Sequence, residues 1–335
     1  MVFEHLFPEK VLESREWTGF FLAFIYSTLA IIIARLLFPA NSGLVSVVFV
    51  SIFLLPYFEI ILKREELQEK HEKHHTFWHL FYDNLDVIRT YFFLFFGIYL
   101  AFMLYTFFSP YFGYDVSAVF REQLSLESVR GGATFGFSTF MDIFLNNWWV
   151  LLACFVVSLI AGDGAIFFIA WNASTWGTIF GYRALAASVH TGDSALVALL
   201  VIVFITLPHV ILEGGAYILA AIAGGVLSDA VDKASEVRKF VLYFISAVML
   251  YVVLYLVAAV LFNGPLLGAI MIVGALVLLY AMQYVFEDAG DSFIFKYNFQ
   301  LFLFAIFVFL VGAFVETLVL YNATPLQEVY MAAFG

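Results

Sequence analysis

His209 and Glu213 lie four residues apart in an apolar run that extends from Leu196 to Leu227. Hydrocarbon solvates neither an imidazole nor a carboxyl, so both persist there only where protein or a wet cavity receives them. At i and i+4 they share a helix face and can satisfy each other or a common partner. Three kinds of chemistry fit: a polar lock between helices, a proton or cation relay, or metal ligation. The last is the weakest, because the helix offers no second His and the HExxH arrangement is absent. The structural lock and the relay both remain open.

Pro208 precedes His209. It lacks an amide hydrogen and clashes with the preceding turn, which predicts a kink or break. Other polar residues in apolar surroundings join the candidate centre: Asn146, Asn147, Asp163, Asn172 and Glu316. Asp163 lies in Gly162-Asp163-Gly164, a break tolerated at membrane depth only against protein or a wet cavity. Glu316 lies near the end of the last apolar run. It either snorkels to the interface or turns inward towards His209 or Arg183. Asn146 and Asn147 precede Trp148 and Trp149, which read as an interfacial aromatic anchor. His190 reads as a solvated loop residue.

These residues need a membrane bundle to position them. Of 335 residues, 64% are hydrophobic, 12% are charged and 42 are Phe, with a mean hydropathy of +0.99. A soluble core does not need that much apolar surface. The net charge of −11 and the scattered Lys and Arg exclude a basic nucleic-acid-binding surface. The single cysteine, Cys154, cannot form an internal disulfide.

The fold class is all-α: a polytopic transmembrane bundle of about nine helices, each about 20 residues. They fall near 18–38, 43–62, 87–112, 143–161, 165–182, 194–227, 240–262, 265–286 and 298–321. The fourth and fifth are short and allow a re-entrant pair. Residues 1–17 read as an N-terminal interfacial segment. Residues 18–112 form N-terminal transmembrane helices with a charged cytoplasmic helix near 63–86, and 113–335 form the core. Asp115 to Arg130 reads as a short interfacial helix. Lys63, Arg64, Lys70 and Lys73, with Lys233, Arg238 and Lys239, place their loops in the cytoplasm. The N-terminus is then cytoplasmic, in the plasma membrane.

His71, His75 and His79 share one stripe, with His74 alongside. Three imidazoles on one face suit a transition metal, but no carboxylate or Cys closes the site, and the plainer reading is a solvated helix. No catalytic residue, metal or cofactor is assigned. Two small-residue stripes, Ala173, Gly177, Gly181 and Ala216, Ala220, Gly224, let helices approach closely. They also permit a homodimer.

The region from about 135 to 325 resembles the stage II sporulation protein M family of integral membrane proteins. Matching features are Asn146-Asn147 before an apolar run, the Gly162-x-Gly164 break, and Asn172 followed by Gly177 and Gly181. The most specific is Leu207-Pro208-His209 with Glu213 and Ala216 beyond it, and the last span closes on Phe314-Val315-Glu316-Thr317. Val210 and Ala173 stand where the family commonly has Gly. The resemblance implies a membrane scaffold that is not itself an enzyme. In the bacterial member that role involves two cell-wall hydrolases during engulfment of the forespore. The expected partners are the lipid bilayer and other membrane proteins, not nucleic acid.

Overall fold

The computed structural model describes residues 17–71, 77–83, 85–125, 137–192, 194–233, 246–255 and 293–322, with single positions 257, 270, 273 and 274. Among these residues every regular element is a helix. The chain is a multi-pass membrane protein. Among the described residues, six helices are long and apolar enough to span: Thr18–Leu37, Pro39–Phe58, Leu85–Phe112, Phe140–Ala161, Ala195–Ser228 and Tyr297–Val319. Most of the expected spans at 240–262 and 265–286 lies outside the described residues, as do the segment 1–16 and the side chains of His71, His74, His75 and His79.

In chain order the main helices are α1 (Thr18–Leu37), α2 (Ser42–His71), α3 (Phe77–Asp83), α4 (Leu85–Phe108), α5 (Val116–Val119), α6 (Arg121–Ser125), α7 (Phe137–Ala161), α8 (Ile166–Thr191), α9 (Ala195–Lys233) and α10 (Phe293–Asn322), with a shorter apolar helix, Ser246–Tyr255, between the last two. The seam α1–α4–α8 joins the seam α7–α9–α10 through the packing of α9 on α8. At one end of the bundle, Phe77 of α3 meets Tyr297 and Phe304 of α10, with ring centroids 5.9 and 5.8 Å apart.

The short fourth and fifth segments are longer than their apolar runs suggest. α7 has 25 residues and α8 has 26. At about 1.5 Å per residue each reaches about 37 Å or more, beyond the roughly 30 Å of hydrocarbon. A single 3-10 turn, Gly162–Ala165, joins them, with Gly162 at φ 57°. Apolarity underestimates α8 because Ser174, Thr175 and Thr178 interrupt it. These three are buried inside the bundle.

Three local expectations need correction. Of the kink or break expected at Pro208, the break does not occur: α9 is helical through 39 residues with Pro208 inside it. A membrane helix tolerates the lost amide when neighbouring helices hold the rest of the ladder, and α9 is packed against α7, α8 and α10. The expected helix from Asp115 stops at Phe120 and restarts as α6. The reason is that Phe120 is fully buried against Phe102 and Tyr105. The Ser42 hydroxyl donates to Val119 O (2.7 Å) and Gln123 Nε2 donates to Gly43 O (3.0 Å), fastening this segment to the start of α2. Finally, Trp148 is not an interfacial anchor. It is 4% exposed and stacks on Phe144, with Phe309 of α10 nearby.

Both small-residue stripes are consumed inside the chain. Ala173, Ala216 and Ala220 are fully buried. A methyl group on Gly177 would land on Tyr99 O, and one on Gly181 would come within 2.7 Å of Met103 O, both on α4. A methyl group on Gly224 would land on Phe155 O of α7. The helices therefore meet backbone against backbone, the contact that small residues permit.

Candidate functional site: a polar centre between three helices

α9 carries His209, Glu213 and Tyr217 at successive i,i+4 positions, so they form one line on one face. All three are more than nine-tenths buried, at 6%, 1% and 1% exposure. That face looks onto α7 and α10. From α7, Asn147 Nδ2 donates to Glu213 Oε2 at 3.1 Å. From α10, the Glu316 carboxyl comes within hydrogen-bonding reach of Glu213 and acts electrostatically on His209.

The approach of α10 depends on a glycine. Gly312 lies one turn before Glu316, and a Cβ there would fall 2.9 Å from Glu213 Cγ and 3.2 Å from Leu212 Cβ. A large side chain at 312 would push α10 off the carboxyl it has to meet. His209 and Glu213 thus share Glu316 as a common neighbour.

Tyr217 completes the line, a role that its residue type alone does not signal in the sequence. Its ring stacks on Trp176 of α8, centroids 6.3 Å apart, and its hydroxyl lies in the field of Glu213, Glu316 and Cys154. The available signal was its position eight residues after His209, two turns along the same face.

Other candidate residues stand apart from the centre. Asn172 donates to Phe168 O, one turn back on its own helix, at 2.7 Å. Pro208 faces outward and is exposed, so it does not belong to a buried centre. Asn146 is also exposed, and its Nδ2 reaches Asn147 Oδ1 at 3.4 Å. It therefore forms the outer end of a polar line running through Asn147 to Glu213. His190 is exposed, as expected, but it lies in the last turn of α8 and not in a loop. The side chain of Asp163 lies outside the described residues.

Several donors and acceptors in the centre have no hydrogen-bond partner. They are His209 Nδ1, Glu213 Oε1, Tyr217 Oη and Glu316 Oε2. Buried polar atoms are nearly always satisfied, so four such atoms on one seam call for an explanation. Among the described residues, no three His, Cys, Asp or Glu side chains come together in a way that could hold a metal ion. What the geometry does show is a cross-link: the Asn147–Glu213 bond and the approach of Glu316 tie α7, α9 and α10 at one place.

The family model described as stage II sporulation protein M matches residues 92–264, more than half of the chain. The match takes in most of α4 and all of α7, α8 and α9, and it stops before α10. No curated protein and no solved structure matches the chain significantly.

Proposed function

The chain belongs to the stage II sporulation protein M family, and from that premise we propose that it is a non-enzymatic scaffold that recruits other proteins into a membrane-associated complex. One observation carries this reading: the helices of the matched region meet backbone to backbone, at Gly177 and Gly181 against α4 and at Gly224 against α7. Such seams make a rigid frame, and a rigid frame is what a scaffold needs. In this reading Asn147, Glu213, His209 and Glu316 tie α7, α9 and α10 together. The protein sits in the plasma membrane with its N-terminus in the cytoplasm, a placement supported by the basic residues of the C-terminal part of α2 (Lys63, Arg64, Lys70) and by those at and beyond the end of α9 (Lys233, Arg238, Lys239). Partners dock on outward faces such as the α1 stripe of Phe21, Ile25, Leu29 and Ile32, all exposed. A homodimer also has to use such faces, since both small-residue stripes are spent within the chain.

Site-specific photo-crosslinkers at Phe21 and Leu29, in native membranes, test the scaffold. The expected result is one and the same protein adduct from both positions, absent when the crosslinker is placed at buried Ala23. Recovery of lipid adducts alone from every outward face would end this reading.

A second reading, a transporter or channel component, is favoured by the unpartnered Glu213 and His209 atoms at the bundle centre. Proton or cation flux in proteoliposomes, abolished by Glu213→Gln in a folded protein, would establish it in place of the scaffold.

A further inference from the structure

Glu213 and Glu316 face each other across the seam between α9 and α10. The polar groups acting on Glu213 are Glu316 and Asn147. Asn147 supplies one donor, to Oε2. Glu213 Oε1 and Glu316 Oε2 receive none. An ionised carboxyl can only accept hydrogen bonds, so two ionised carboxyls within hydrogen-bonding reach can make no bond to each other. Out of water they also repel without screening. One hydrogen between them removes both difficulties, because a protonated carboxyl donates to an ionised one in a short, charge-assisted bond.

We propose that Glu213 and Glu316 hold one exchangeable proton between them, making the α9–α10 seam a proton-binding site inside the membrane bundle. The surroundings suit that ligand. His209 presents an unpartnered Nδ1 one turn before Glu213 and lies in the field of Glu316. It can take the proton from the pair or return it. The Tyr217 hydroxyl, one turn after, is also unpartnered and lies in the field of both carboxyls.

Of the other packed elements, α8 carries the half-buried cation Arg183, and the rest offer neutral groups. α7 contributes the neutral amide of Asn147, and Cys154 lies near Tyr217. α8 contributes Trp176, and α4 places Phe95 and Phe92 against Gly214 and Gly215. Glu213 is sealed at 1% exposure, whereas Glu316 is only half-buried. The proton therefore enters and leaves at Glu316. It passes to Glu213 as one O–H bond breaks and the other forms, with no other reactant.

This site does not depend on whether the bundle recruits proteins or passes ions, and its test reads protonation directly. The full chain in lipid nanodiscs is examined by infrared spectroscopy for the C=O stretch of a protonated carboxyl. The wild type is expected to show this band at neutral pH, with a downward shift in D2O and a loss on alkaline titration. Glu213→Gln and Glu316→Gln should each abolish or move it. Asp86→Asn, which removes a half-exposed carboxyl bonded to Arg89, should not. If the folded wild type lacks the band at neutral pH, the proposal is overturned even when neither Glu variant folds. A band that survives both Glu substitutions overturns it as well. So does a missing band accompanied by Na+- or K+-dependent thermal stabilisation, which would assign the seam to a metal cation.

Discussion

Gly312 rests against Glu213. A Cβ at 312 would lie 2.9 Å from Glu213 Cγ, and this absence of a side chain lets α10 bring Glu316 to the carboxyl on α9. Gly312→Leu should therefore lower stability in detergent by about 1–3 kcal/mol, the usual cost of overpacking. Gly312→Ala should cost less, because the Glu213 stem can yield. Its cost should shrink further in a Glu213→Ala background, and a double-mutant cycle on thermal unfolding measures that coupling. Additive losses would show that the two residues do not touch.

Asn146 and Asn147 are adjacent in sequence but unequal in the fold. Asn147 donates to Glu213 from a half-buried position, whereas Asn146 is exposed and reaches only its neighbour. Asn147→Ala strands a buried carboxyl oxygen and should cost about 1–2 kcal/mol, in the range of hydrogen bonds between membrane helices. Asn146→Ala should stay within about 0.5 kcal/mol. Asn147→Asp should be the most damaging, since it replaces a donor with a third carboxyl beside Glu213 and Glu316. Thermal unfolding of the three purified variants ranks them.

This inequality shows how far the sequence can be read. Apolar runs mark the spans because each must cross the same hydrocarbon thickness. The spacing of His209 and Glu213 shows that they share a face because helix periodicity is local. Both small-residue stripes were visible for the same reason, and both are buried. What a face looks at is not local. Trp148 and Pro208 differ from expectation because one turns towards α10 and the other away from the bundle. Asn172 spends its amide on its own helix, which no spacing rule forbids. Glu316 joins Glu213 only because Gly312 lets α10 approach, a condition set 99 positions along the chain from Glu213.

The α4–α8 seam gives a sharper stability contrast. A side chain at Gly177 would collide with the backbone oxygen of Tyr99, which cannot move aside as a flexible side chain can. Gly177→Leu should therefore separate α8 from α4, with a loss of about 1–3 kcal/mol or failure to insert. Phe204→Leu, on a 75% exposed position of α9, should be close to neutral. Protease protection in membranes reports insertion, and thermal unfolding in detergent reports packing. Equal behaviour of the two variants would mean that the seam is not close-packed.

The pH response of the loop after α4 can be derived from one cap. The Ser117 hydroxyl and amide both donate to Asp115 Oδ1, at 2.6 and 2.9 Å. They hold the Asp115 carboxyl below the usual carboxylate range. The folded carboxyl thus binds a proton more weakly than the unfolded one. The cap contributes fully above the unfolded value and is lost as pH falls through the lower folded value. Asp115 is fully exposed, so the effect is local: amide exchange in α5 should accelerate on acidification beyond its intrinsic pH dependence. Asp115→Asn keeps a good capping side chain without a titrating group, so it should flatten that response. Asp115→Ala should leave α5 exchanging fast at every pH. A wild-type response unchanged by Asp115→Asn would place the acid sensitivity elsewhere.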